Sequence, residues 1–288
     1  MKQFTLPVLI AVIMHLSRAN AQNVSVNFNT PGDLANKFNV YQNATPPLVV
    51  SPGAATSPYS QTTSGGAGGG GGVGINSGTG ITADSTGIYK NSSFNFANSG
   101  TTVTITSLLN VTANTGGGNR LLQLGFVNEN TSGMNGNAGL AFMSLRLSTV
   151  GTSGNVYTPN YQIKDAASGT SGPSFTPNVT LAPGEWYQLS GTFQNLGGGA
   201  IQISGTLKDF GIDGTTPGDT IFTYPTQTLT AIDIASDSSV WPAFRAFKND
   251  GAAGIDSFTA TSTVPEPGTL VLMGAGISGL LIAARRRR

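Results

Sequence analysis

Apolar residues alternate with hydroxyl and amide side chains along most of the middle of the chain. In Thr101–Leu109, Val103, Ile105 and Leu109 share one side, and Thr102, Thr104 and Thr106 take the other. In Ala200–Lys208, Ile201, Ile203 and Leu207 face one way, and Gln202, Ser204, Thr206 and Lys208 face the other. Trp186–Phe193 places Tyr187, Leu189 and Phe193 together. A period of two means one buried and one wet face, as in antiparallel sandwiches. The same reading predicts strands at Val24–Phe28, Phe94–Phe96, Leu121–Val127, Ala138–Leu147, Tyr157–Lys164, Ile221–Tyr224, Thr228–Ile232, Ala243–Lys248 and Ile255–Thr261. Gly, Ser, Thr and Asn dominate and strong helix formers are scarce, which suits short strands and tight turns. The prediction is an all-β antiparallel sandwich over residues 22–262. Ser51–Gly80 interrupts the pattern, with eight glycines in Gly65–Gly74. It is expected to be a long flexible loop within one domain, because the mature residues before it are too few to fold alone.

Both ends read as membrane signals. Met1-Lys2 supplies positive charge, Phe4–Leu16 a short apolar run, and Ala19-Asn20-Ala21 a small-x-small cleavage site. This predicts a signal peptide over 1–21, handled by the Sec translocon and signal peptidase, with the mature chain starting at Gln22. At the other end, Gly268–Ala284 is an uncharged stretch of 17 residues. As a helix it would be about 25 Å long, enough to span a locally thinned bilayer. Arg285, Arg286, Arg287 and Arg288 follow at once. They keep the C-terminus cytoplasmic, so the preceding domain faces outward.

Charge and composition then exclude several classes of function. Six of the 14 basic residues are Lys2, Arg18 and the four terminal arginines, and Glu266 is one of the 13 acidic residues. Gln22–Val264 therefore holds 8 basic against 12 acidic residues, a net charge of −4. No basic patch is available for nucleic acid. There is no Cys, and the single His, His15, lies in the signal segment. Thiol chemistry, Ser-His-Asp catalysis and His-ligated zinc are thereby removed.

Two resemblances follow from particular residues. Val264-Pro265-Glu266-Pro267, then an apolar helix, then arginines, closely resembles the PEP-CTERM sorting signal, with Pro265, Glu266 and Pro267 as its Pro-Glu-Pro triplet. The resemblance covers 263–288. It implies recognition by an exosortase, an inner-membrane-anchored precursor, and delivery to the surface of a bacterium that makes exopolysaccharide. Separately, Leu181-Ala182-Pro183-Gly184-Glu185-Trp186-Tyr187-Gln188-Leu189, the following Ile201–Leu207, the closing Gly254-Ile255-Asp256-Ser257-Phe258 and the opening Phe28–Leu34 resemble the concanavalin A-like (laminin-G-like) jelly roll. The Glu-x-Asp-x-x-Glu strand of that family's glucanases has no counterpart here.

Candidate chemistry is sparse. Glu129 and Glu185 are the only glutamates between the two terminal segments, too few for the paired carboxylates of a glycosidase. No cofactor is required, and calcium is the one ion the loops suit. Asp209, Asp213 and Asp219 cluster in a Gly-rich loop, and Asn249, Asp250 and Asp256 form a second candidate. Asp-Gly pairs also favour tight turns without any metal. Trp186, Tyr187 and Trp241 are the aromatic candidates for carbohydrate contact, with a place in the core as the alternative. The expected function is a non-enzymatic structural or adhesive component of an exopolysaccharide-rich matrix. A secreted carbohydrate-active enzyme and a calcium-dependent lectin-like module are the alternatives.

Overall fold

A computed structural model of the chain describes residues 21–42, 48–51, 57–76, 85–116, 120–130, 134, 140–151, 154–165, 170–230 and 232–264. Ala19, the Pro265–Pro267 triplet, the 268–284 segment and Arg285–Arg288 lie outside the described residues. Among the described residues no helix is long and apolar enough to cross a membrane.

The chain begins with β1 (Gln22–Val26), a short helix α1 (Asp33–Lys37), β2 (Phe38–Gln42), β3 (Leu48–Val50), β4 (Tyr59–Thr62), β5 (Gly72–Ile75) and β6 (Thr86–Tyr89). It continues through β7 (Thr102–Val111), β8 (Leu122–Val127), β9 (Phe142–Thr149), β10 (Val156–Lys164), β11 (Thr170–Ser171) and β12 (Val179–Thr180). It closes with β13 (Trp186–Gly197), β14 (Ala200–Asp209), β15 (Thr220–Leu229), β16 (Trp241–Ala246) and β17 (Ala252–Thr263).

These strands form two sheets within the unit Gln22–Ser262. The eight-stranded sheet runs β15-β14-β13-β7-β17-β5-β4, with β1 also paired to β17. The nine-stranded sheet runs β11-β10-β9-β8-β16-β6-β2-β3, with β12 also on β10. The ladders are antiparallel, and the result is a jelly-roll sandwich.

Period-two alternation explains the packing. Val103, Ile105 and Leu109 of β7, Leu189 and Phe193 of β13, and Ile201, Ile203 and Leu207 of β14 are all buried. They meet the inner face of the other sheet, where Phe193 lies edge-on to Phe126 with ring centroids 5.6 Å apart. Phe38 and Phe244 pack edge-on to Phe258, and Tyr161 stacks on Tyr224. Gly191 and Gly205 sit opposite each other in the β13–β14 ladder. Their missing side chains admit Leu145, whose methyls would lie 2.4 and 2.1 Å from an added Cβ.

The structure departs from the sequence reading at several points. Ser51–Gly80 is not simply a loop: residues 57–76 form the β4–β5 hairpin, and β5 pairs with β17 inside the sheet. Close backbone approach requires Gly66 and Gly71, where an added Cβ would fall 2.0 Å from the Gly71 carbonyl oxygen and 2.3 Å from that of Phe28. Ile221–Tyr224 and Thr228–Leu229 belong to one strand, β15, whose ladder with β14 carries register shifts; Ile232 lies beyond it. Phe94–Phe96 contributes only a bridge from Phe94 to Val240. β2, β3, β6, β11 and β12 had no sequence counterpart.

Candidate functional site

The outward positions of β7, β13, β14 and β15 build a polar floor. Register places Thr106, Ser190, Thr206 and Thr223 in one row across the four strands. Thr104, Thr192 and Ser204 form a second row, and Thr102, Gln194, Gln202 and Thr228 a third. The Thr106 and Ser190 hydroxyls are 3.0 Å apart, and those of Thr104 and Thr192 are 3.3 Å apart. A hydroxyl is one donor and two acceptors, so each pair keeps capacity for a ligand. Over β13–β15 the floor sinks into an open depression of about 260 Å³, lined by Ser190, Thr192, Ser204, Thr206, Thr223 and Thr226. The only carboxylate or cationic side chains in these four strands are Lys208 and Asp209, at one end of β14.

A wall closes that same end. Leu108 and Trp186 also point outward, but Phe210 and Ala67 pack over them, leaving Trp186 only 4% exposed. The β14–β15 loop turns back on β13, with Trp186 N–H donating to the Gly211 carbonyl and Phe210 N–H to the Trp186 carbonyl. The glycine-rich loop 63–71 leans on it from the other side. Gly68 N–H donates to the Asp213 carbonyl (2.6 Å), Ala67 N–H to Asp256 Oδ2 (3.0 Å) and Gly71 N–H to Asn29 Oδ1 (2.6 Å).

The aromatic candidates do not converge. Trp186 lies beneath the wall because its indole covers the strand ends there. Tyr187 points inward and is 3% exposed. Its hydroxyl donates to Glu185 Oε2 and accepts from Ala182 N–H, and burial pushes the phenol well above its ordinary range. Trp241 is half-buried on the nine-stranded sheet, against Tyr41, Val127 and Phe142. Trp186 and Tyr187 are thus core side chains, not a platform for sugar rings.

In the acidic loop, backbone amides engage the carboxylates. Asp209 Oδ1 accepts from Gly211 N–H at 2.7 Å, and Asp213 Oδ1 from Thr215 N–H at 3.0 Å. The Thr215 N–H and hydroxyl hold Asp213 below the ordinary carboxylate value. Asp219 contributes its carbonyl, which accepts from Asp209 N–H. Among the described residues, no three Asp, Glu, His or Cys side chains come together as a metal site. In the second candidate loop, buried Asp250 accepts from Arg120 N–H, and Asp256 from the amides of Ala67 and Ser257. Turn chemistry and loop fastening account for these carboxylates. Glu185 leads into β13 of one sheet and Glu129 follows β8 of the other, so they do not form a pair across one cleft.

The outer face of the nine-stranded sheet holds polar groups that the sequence did not signal. Gln123 Nε2 donates to Ser144 Oγ at 2.9 Å, and that hydroxyl donates to the Gln162 carbonyl. Arg245 bonds the Met134 carbonyl, and Lys164 the Leu140 carbonyl at 2.8 Å. Gln123, Ser144, Lys164 and Arg245 are all buried, while Arg146, Ser148, Thr158 and Gln162 on the same face are half-buried. The hydroxyl floor is half-exposed along its rows and exposed at Thr223. Its sequence signal is the alternation of Thr102, Thr104 and Thr106, which by itself marks a wet face.

No curated protein matches the chain in sequence. Among solved structures it is similar to peanut lectin bound to a nonapeptide, at 12% identity and a TM-score of 0.47, over 85% of this chain and 98% of that one. It is also similar to a Bauhinia forficata lectin in complex with GalNAc, at 9% identity and a TM-score of 0.42, over 84% and 99%. An alginate lyase from Pseudomonas aeruginosa is a third, at 9% identity and a TM-score of 0.40, over 79% and 96%. Residues 263–288 match the PEP-CTERM protein-sorting motif, which marks this jelly-roll chain as an exported protein, anchored at first in the inner membrane, processed by exosortase and delivered to the cell surface.

Proposed function

We propose that the exported domain is a non-enzymatic, carbohydrate-binding component of an exopolysaccharide-rich matrix, and that it binds through the hydroxyl floor of the eight-stranded sheet. The observation that carries this reading is the set of uncharged Ser, Thr and Gln rows opening into the 260 Å³ depression. A polyol offers the same donors and acceptors as this floor. Each hydrogen bond contributes only about 0.5–1.5 kcal/mol net, so useful affinity comes from many contacts with a polymer. Hydrolysis of a glycosidic bond calls for two carboxylates flanking it. The floor strands carry only Asp209, and its Oδ1 is engaged by Gly211.

The test is co-sedimentation of the processed, exported protein with the exopolysaccharide of the producing cell and with a panel of neutral and acidic polysaccharides. Thr192→Lys, a change at a half-exposed outward position, is expected to weaken binding at least tenfold while leaving the melting temperature nearly unchanged. Binding unaffected by Thr192→Lys, or release of reducing ends from the bound polymer, overturns the reading.

A further inference from the structure

The floor also specifies how a ligand lies on it, and therefore which class of chain fits. We propose that it takes an extended, neutral, β-linked polysaccharide chain running across the strands, with one sugar ring over each of β7, β13, β14 and β15. This deepens the carbohydrate-binding reading above and rests on it.

Three observations set the direction. The hydroxyls form rows perpendicular to the strands: Thr106, Ser190, Thr206 and Thr223 occupy successive strands in register. Neighbours in such a row are about 4.8 Å apart, whereas along one strand outward side chains recur only about every 6.8 Å. An extended β-1,4-linked chain advances by close to the interstrand spacing per ring, each ring turned over relative to the last, so successive rings present a hydroxyl-bearing edge to successive strands only when the chain crosses the strands. A coiled α-linked chain keeps no such register.

The second observation is the wall. Phe210, Ala67 and the loops that carry them close one end of the floor above Leu108 and Trp186. A polymer laid along β7 or β13 would run into it. Crosswise, the path leaves the sheet over β15, which is an edge strand.

The third is charge. Lys208 and Asp209 stand at the walled end, and the rows themselves hold only Ser, Thr and Gln. Nothing in the rows matches the carboxylates of a polyuronate.

The experiment is titration of the processed protein with β-1,4-glucan oligosaccharides of two to six residues. Maltooligosaccharides and oligogalacturonates of equal length serve as comparison probes. Affinity for the β-1,4 series is expected to rise about fivefold per residue up to four and then level off, since each ring adds roughly one net hydrogen bond. The other two series are expected to show no comparable rise. Thr223→Lys, on the outermost strand, is expected to move the plateau from four residues to three.

Affinity independent of length, or a plateau that Thr223→Lys does not move, overturns the crosswise chain while leaving the floor a carbohydrate site. If no neutral glycan of any length or linkage binds, both readings fall. If sedimentation instead shows self-association that Thr192→Lys abolishes, with no glycan bound, the floor is an interface between copies and the proposal is overturned.

Discussion

Tyr59, Tyr157, Tyr161, Tyr187 and Tyr224 are each at most 3% exposed, and each finds its phenol an acceptor. Tyr59 donates to the Ser85 carbonyl at 2.7 Å, Tyr157 to that of Asp250 at 2.9 Å and Tyr161 to that of Pro225 at 2.8 Å. Burial raises all five above the ordinary value of 10.0. Above that pH the unfolded chain sheds phenolic protons that the folded domain keeps. The tyrosine contribution to stability is therefore fully present below pH 10.0 and is lost as pH rises through the folded values. Arg146 and Arg245, lowered by burial, oppose this with the reverse sign, but the five phenols outnumber them. The tyrosinate absorbance of these five is thus expected to appear above pH 10 together with the loss of the circular dichroism of the sheet. Titration of these tyrosines near 10 with the fold intact would refute the assignment.

At the scale of elements, the glycine-rich hairpin is the part whose order is least expected from composition. A Cβ on Gly66 would fall 2.0 Å from the Gly71 carbonyl oxygen and 2.9 Å from Asp256 Oδ2, and backbone cannot swing aside as a flexible side chain can. Gly66→Ala is expected to cost about 2–3 kcal/mol, against about 1 kcal/mol for Gly69→Ala, where positive φ is the only obstacle. Chemical denaturation measures both, and equal losses would mean that the hairpin is not packed as described. β7, β13 and β14 were legible because their side chains alternate. The β4–β5 hairpin was only half legible, because Val73 and Ile75 alternate with glycines that mark no outward face. The partners that order it, Asn29, Asp213 and Asp256, are distant in sequence. The floor was legible strand by strand. Its rows were not, since register across four strands depends on turns and bulges such as the shift between Asn195 and Gly197.

For the whole molecule, delivery rests on the C-terminal motif. Pro265 and Pro267 flank Glu266, whose carboxylate is the one charge in the triplet. Glu266→Ala is expected to leave the tail uncleaved and the protein in the inner-membrane fraction. Fractionation followed by mass analysis of the C-terminus tests this. Processing and release like the wild type would show that the carboxylate is not what the exosortase reads.

The sequence by itself determined the C-terminal delivery signal, the absence of thiol and imidazole side chains from residues 22–264, and the all-β class. Each of these is a local property: a run, a count or a period of two. Tertiary structure decided everything that depends on which segments meet. It put Trp186 beneath a wall and Tyr187 in the core, because strand ends need covering and a sandwich needs filling. It turned Asp209 and Asp213 into turn acceptors, because the nearest donors are backbone amides two residues on. And it aligned hydroxyls from four separate strands into rows, which no single stretch of chain contains.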